Sequence, residues 1–277
     1  MAIYKSTKTD YRINKITEGG SEQLRIVADF DGTITYDFNE NGERIPSGVA
    51  LLRDSGLISV EYSSKANELF AKYHPYEIDL TLSPQEKSHK MYEWWTTHLQ
   101  LLVESKVSKE IIDTIVQSHP KMFRKHTDLF FAELNNLKIP LLIFSAGIGD
   151  IIDSLMNLNG FVYPNIQTLS NYFIYDENGQ AVGYNSDQII HTFNKNEASI
   201  PNLPGFHKIQ NRPNVILLGN SPGDVAMADG IQTDTLLKIG FLDKPDQVQL
   251  QHFLEIYDVV ITNRGDFEFV NNLITQL

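Results

Sequence analysis

The string Val27-Ala28-Asp29-Phe30-Asp31-Gly32-Thr33-Ile34-Thr35 sets two carboxylates one residue apart where an apolar segment runs out. Leu24 to Ala28 is a short apolar run with β-branched residues, which reads as a strand buried in a parallel sheet. Gly32 then supplies a turn. Two acids held close at the carboxyl end of such a strand are costly unless something cationic binds them. Asp-x-Asp alone reads equally well as an acidic surface loop. The full string behind a strand points to a functional site.

Two further regions place companions for these acids. Pro140 to Phe144 is an apolar run ending at Ser145-Ala146-Gly147, and Asn214 to Leu218 is another ending at Gly219-Asn220-Ser221. Leu236 to Ile239 and Asp258 to Ile261 follow, with room for helices between them. Apolar strands alternating with helical stretches predict a doubly wound, mostly parallel α/β sheet covered on both faces. Ligands in such sheets bind at the carboxyl ends of the strands. Asp29, Asp31, Ser145 and Asn220 all fall there, so one shared site is expected.

Residues 47–125 have a different character. Glu, Lys, Ser and His alternate at helical spacing with Leu69, Phe70 and Tyr73, then Met91, Trp94 and Trp95, then Ile111, Ile112 and Ile115. This predicts a mostly helical cap inserted between the first two motif strands, facing the strand ends. The core is then built from residues 1–46 and 126–277. Near Tyr172 to Tyr184 the turn signal Asp176-Glu177-Asn178-Gly179 predicts a β-hairpin.

Composition removes several classes. A chain of 277 residues with 42% hydrophobic content can bury a large core. Its net charge of −12 argues against nucleic-acid binding, since no basic surface is available to neutralise phosphates. With no cysteine there is no disulfide framework, thiolate metal site or thiol nucleophile. No apolar run approaches the roughly 18 residues that span a bilayer. The start MAIYKSTKTD lacks the apolar core of a signal peptide. A cytoplasmic monomer without membrane or nucleic-acid partners is expected.

The string DFDGTIT resembles the first motif of the haloacid dehalogenase superfamily of phosphatases, Ser145 its second, Lys195 its third and Gly219 to Asp224 its fourth. The segments IFSAGIGDII (143–152), IIHTFNKN (189–196), LLGNSPGDVAMADG (217–230) and KIGFL (238–242) resemble the cytosolic 5′-nucleotidase III family more specifically. That family includes pyrimidine and 7-methylguanosine phosphate-specific 5′-nucleotidases. The similarity runs from about Ile26 to the C-terminus, and YEID (76–79) and YEWWT (92–96) in the insertion also fit.

The resemblance implies a haloacid dehalogenase-like core and Mg²⁺-dependent hydrolysis of nucleoside 5′-monophosphates through an aspartyl-phosphate. It makes Asp29 the nucleophile and Asp31 the acid–base group. Mg²⁺ prefers a near-octahedral shell of oxygens, few of them from protein. Asp29, the Asp31 carbonyl and residue 220 would supply that share. Relatives usually carry Asp where this chain has Asn220. An amide oxygen still ligates but adds no charge, so weaker metal binding is expected unless Asp224 compensates as a ligand or from behind. Ser145 and Ala146, beside a helix start at residues 147–150, would cradle phosphate, and Lys195 would offset its charge. Thr33 and Thr35 read as turn residues.

Substrate choice is expected in the cap. Glu77 matches the family glutamate that contacts the base, and His98 lies near the substrate position. Adjacent Trp94 and Trp95 point about 100° apart on a helix, so one faces the core and the other, taken as Trp95, is free to stack on a base. His74, His89, His119, His126, His191, His207 and His252 show no metal-ligand spacing and read as surface or core residues. Two other readings stay open: a phosphatase of another small phosphorylated metabolite, and a nucleotide-binding protein whose catalysis Asn220 has weakened.

Overall fold

Every residue of Leu24–Ala28 is buried, as a strand covered on both faces requires. A computed structural model shows how; it describes residues 1–79, 81–118, 122–185, 189–196, 211–229 and 232–277. His119, His207 and Gly230 of the motifs above lie outside the described residues. The strands are β1 (Ala2–Lys5), β2 (Leu24–Ala28), β3 (Leu141–Ile148), β4 (Ile166–Asn171), β5 (Phe173–Tyr175), β6 (Ala181–Tyr184), β7 (Asn214–Gly219), β8 (Thr235–Leu242) and β9 (Val259–Thr262). Among the described residues seven of them form one sheet in the order β1-β9-β8-β7-β2-β3-β4. Only β1 runs antiparallel, against β9; the other pairs are parallel.

Successive side chains alternate between two apolar layers. Ile26, Ala28, Leu141, Ile143, Ile216 and Leu218 join one core cluster, while Val27, Leu142, Phe144, Val215 and Leu217 join the other. The first is closed by α1 (Thr9–Gly19), α6 (Thr127–Asn136), α7 (Gly149–Leu158) and α9 (Glu268–Ile274), through Ile16, Phe131, Ile152 and Leu273 among others. The second is closed by α8 (Gln247–Ile256) and the segment after β7, through Phe253 and Met227. This is the doubly wound core expected. Two strands were not foreseen: β1, whose residues are mostly exposed, and β4, an edge strand of mixed polarity.

The insertion is helical: α2 (Gly48–Asp54), α3 (Val60–Ile78), α4 (Pro84–Glu104) and α5 (Lys109–Gln117). Serines start the last three. Ser59, Ser83 and Ser108 each accept a backbone N–H of the first turn, and Glu86 returns the bond to Ser83 in a capping box. β5 and β6 form the expected hairpin, its turn held by Asp176 accepting the N–H groups of Asn178 and Gln180, both at 2.9 Å. The hairpin lies against the insertion, where the Ala181 N–H donates to Val107 O at 2.9 Å.

One buried ion pair fixes the turn after β2. Arg124, fully buried, donates to the Asp243 carboxylate at 2.7 Å, to Thr33 O at 2.7 Å, to Gly265 O at 2.8 Å and to Gly32 O. The rings of Tyr36 and Phe241 lie 4.8 and 4.4 Å from its guanidinium. The other oxygen of Asp243 accepts the Asp37 N–H at 2.9 Å. Arg124→Leu leaves the Asp243 charge buried without its partner, so urea unfolding is expected to show a loss of about 3–5 kcal/mol.

Candidate active site

Register brings three strand ends level. Ala28 pairs with Ile143 on one side and Leu218 on the other, so Asp29, Ser145 and Asn220 emerge along one edge. Asp29 is held there by its N–H, which donates to Leu218 O at 3.0 Å. The turn that follows is tight. Gly32 has φ +78°, its N–H meets Thr35 Oγ1 at 3.1 Å, and Thr33 Oγ1 lies 3.4 Å from Asp29 Oδ2. Thr33 and Thr35 are turn residues, as expected.

Lys195 is buried between two carboxylates. Its Nζ hydrogen-bonds Asp29 Oδ1 and lies 3.1 Å from Asp224 Oδ1. Burial works against the lysine charge, and the Asp224 and Asp29 carboxylates outweigh it, holding the ammonium above its ordinary range. Burial pushes the Asp29 carboxyl up, with Lys195 pulling it back. Asp31 is pushed up to about 6, first by burial and then by the neighbouring Asp37, against a hydrogen bond from the Gly48 N–H. Its carboxylate lies over the β3 end, 3.5 Å from where a Gly147 side chain would begin.

The β3 end is a shaped backbone. Ser145 Oγ accepts the Gly147 N–H at 3.0 Å, and Asn171 Nδ2 pins Ala146 O and Gly147 O at 3.0 and 3.1 Å. β3 runs extended through Ile148, so the next helix begins at Gly149. The same Asn171 exchanges two hydrogen bonds with the backbone of Ile190, both at 2.9 Å. It thereby ties the loop that carries Lys195 to the β3 end.

Asp224 is engaged on both oxygens. Oδ1 faces Lys195, while Oδ2 accepts Asn220 N at 3.1 Å and both Ser221 N and Ser221 Oγ at 2.9 Å. These bonds make it the cap of the turn that carries Asn220. Asn220 points its Nδ2 at Asp37 Oδ2, 3.1 Å away. The Asp37 carboxyl is raised by burial, with the Asn220 bond opposing.

In the insertion, Glu77 reaches the core. Its Oε1 accepts from Thr192 Oγ1 at 2.9 Å, three residues before Lys195. A cavity of about 580 Å³ opens beside this seam, lined by Ser88, Tyr92, His191, Phe193 and Asn194 among others. Neither His98 nor Trp95 lines this cavity. His98 is buried inside the helical layer, its Nε2 3.0 Å from Tyr62 Oη. Trp95 packs against the main apolar cluster, whereas Trp94 stacks on Tyr73 with centroids 6.1 Å apart. The helix turns the second tryptophan inward. Arg124, Asn171, Asp243, Asp37 and Tyr257, whose hydroxyl donates to Ser221 O at 2.6 Å, were missed, because what marks them is contacts made far along the chain.

A doubly wound sheet with paired aspartates, a serine strand end and a buried lysine at one edge defines a phosphatase of the haloacid dehalogenase superfamily. The sequence matches the family described as pyrimidine 5′-nucleotidase (UMPH-1) over residues 32–277. The chain belongs to that family and is a 5′-nucleotidase, a phosphoric monoester hydrolase. It is 38% identical over 264 residues to 7-methylguanosine phosphate-specific 5′-nucleotidase A of Xenopus laevis, covering 95% of this chain and 90% of that protein. The Homo sapiens 7-methylguanosine phosphate-specific 5′-nucleotidase is 36% identical over 266 residues, covering 96% and 88%. The crystal structure of cytosolic 5′-nucleotidase IIIB bound to cytidine superimposes with a TM-score of 0.88 at 29% identity, covering 99% of this chain and 92% of that one.

His98 makes stability depend on pH. Burial and then Arg53 lower its pKa from 6.5 to about 4. Between those values the unfolded chain binds a proton that the fold excludes, so stability falls as pH drops below 6.5. The loss of unfolding free energy between pH 7 and pH 5 is expected to be smaller by about 2 kcal/mol in His98→Gln than in the wild type, measured by urea unfolding.

Proposed function

We propose that the chain hydrolyses nucleoside 5′-monophosphates, pyrimidine or 7-methylguanosine, to nucleoside and phosphate, with Asp29 as nucleophile. The observation that carries this reading is the buried Lys195 joining Asp29 to Asp224, with Asp31 over the Ser145–Gly147 backbone. An Asp29 oxygen attacks phosphorus, the bond from phosphorus to O5′ breaks, and Asp31 donates its proton to the leaving oxygen. Asp31 then takes a proton from water, which attacks phosphorus and frees phosphate and the Asp29 carboxylate. A pKa of about 6 suits a group that both gives and takes a proton near neutrality. Ser145 and the backbone at Ala146 would hold the phosphoryl oxygens while Lys195 balances their charge.

The donor set suits Mg²⁺. Asp29, the Asp31 carbonyl and Asn220 Oδ1 offer hard oxygens, and among the described residues Asp29 Oδ2 carries only the 3.4 Å contact from Thr33. Among the described residues no three His, Asp or Glu side chains would enclose an ion alone, so water and phosphate would complete the shell. Bound there, Mg²⁺ would neutralise charge on the transferring phosphoryl group.

In this reading residues 1–46 and 126–277 form the catalytic core and 47–125 the cap, which selects the base. Glu77 is the base-contacting candidate, being held at the seam by Thr192. We infer a monomer in the cytosol, the location by likeness to cytosolic 5′-nucleotidase IIIB. No helix among the described residues is long and apolar enough to cross a membrane.

Phosphate release from UMP, CMP, 7-methyl-GMP, AMP and sugar phosphates tests the substrate class. Release confined to sugar phosphates overturns the nucleotidase reading. Tight nucleotide binding without release supports a binding protein instead. Asp29→Asn is expected to lose at least about 10³-fold in turnover. Asp31→Asn should lose about 10²–10⁴-fold.

A further inference from the structure

Residue 220 presents a neutral amide at the strand end, and the next acid along the chain, Asp224, already has both oxygens engaged. A different carboxylate meets Asn220. Asp37 Oδ2 accepts its Nδ2–H at 3.1 Å. An ionised carboxylate only accepts hydrogen bonds, so it selects the nitrogen end of the amide and leaves Oδ1 as the end that faces away. Among the described residues nothing donates to that Oδ1.

Two neighbours make this contact specific. The Asp37 backbone is anchored by its N–H to Asp243, whose other oxygen pairs with the Arg124 that also grips Gly32 O and Thr33 O. Asp37 and the Asp29 turn therefore hang from the same buried ion pair. Gly32 leaves the space between them. At φ +78° its missing Cβ would lie 2.1 Å from Asn220 Nδ2 and 2.6 Å from Asp37 Oδ1. Any side chain at 32 would drive the amide and the carboxylate apart.

We propose that Asp37 is a positioning residue of the divalent-cation site: it presents Asn220 Oδ1 to the ion and supplies the negative charge that residue 220 lacks. This rests on the phosphatase reading above. A group that orients a ligand and strengthens it as a donor from behind changes metal affinity by about 10–100-fold. In this chain the charge comes from the loop after β2 and reaches the ion through one hydrogen bond.

Mn²⁺ binding to the whole protein, without nucleotide, is read by the electron paramagnetic resonance signal of free Mn²⁺. Asp37→Asn is expected to weaken binding about 10-fold or more. The exchange Asp37→Asn with Asn220→Asp keeps one amide and one carboxylate in the pair and should restore affinity to within about threefold of wild type. Melting temperatures in EDTA identify variants that have merely lost their fold. A folded Asp37→Asn that binds Mn²⁺ like wild type overturns the proposal, as does an exchange no better than the single variant, or a wild type without Mn²⁺ affinity. Phosphate release by the wild type is scored separately. Release with an unaffected Asp37→Asn sinks this inference alone; no release, with the Mn²⁺ pattern as expected, sinks the reading of function alone.

Discussion

The ammonium of Lys195, buried between Asp29 and Asp224, is the interaction on which the strand-end site depends. Sheet register brings Asp29 and the turn before Asp224 level with each other, and two carboxylates buried there would otherwise repel and lose their hydration. One cation meets both demands and sets the geometry. It requires the loop of residues 189–196 to descend onto the sheet edge, which Asn171 enforces by gripping Ile190 and the β3 end together. In a chain of net charge −12, cationic groups of this kind must be placed individually.

The helical insertion meets the core through polar contacts at this edge. Glu77 accepts from Thr192, Ser88 Oγ lies 3.4 Å from His191 Nε2, and Lys87 Nζ lies 5.3 Å from the Phe193 ring centre. All three core partners belong to the loop that ends in Lys195. The segment that positions the central charge is therefore also the one the insertion touches. The adjoining cavity sets aromatic Tyr92 and Phe193 among polar neighbours.

Much of the core was legible because buried parallel strands are written as apolar runs. β2, β3, β7, β8 and β9 were all signalled, and the chemistry-bearing residues sat where those runs stopped. β1 and β4 escaped because edge strands bury less and need no apolar run. Glu77 was singled out by resemblance as a contact for the base; in the structure its carboxylate accepts from Thr192 Oγ1. His98 and Trp95 were hard to place from sequence for one shared reason. Spacing along α4 tells which residues share a face, but not which face meets the core and which meets the cleft. Arg124, Asp243 and Asp37 were invisible for another reason. Their meaning lies in contacts across 119 and 206 residues of sequence, which no local pattern encodes.

The antiparallel pairing of β1 with β9 joins the first strand of the chain to its last. Residues 2–5 therefore have no sheet partner until residues 259–262 have left the ribosome. Throughout synthesis the N-terminal strand is an unpaired β-segment, and the β8 flank of the growing sheet stays open as a template for other chains. The exposed, partly charged character of β1 makes that wait less hazardous, since a polar edge recruits foreign strands poorly. Closure of this edge of the sheet is thus a long-range event that joins residues 2–5 to residues 259–262. A nascent chain stopped short of its last strand would be left with a bare sheet edge.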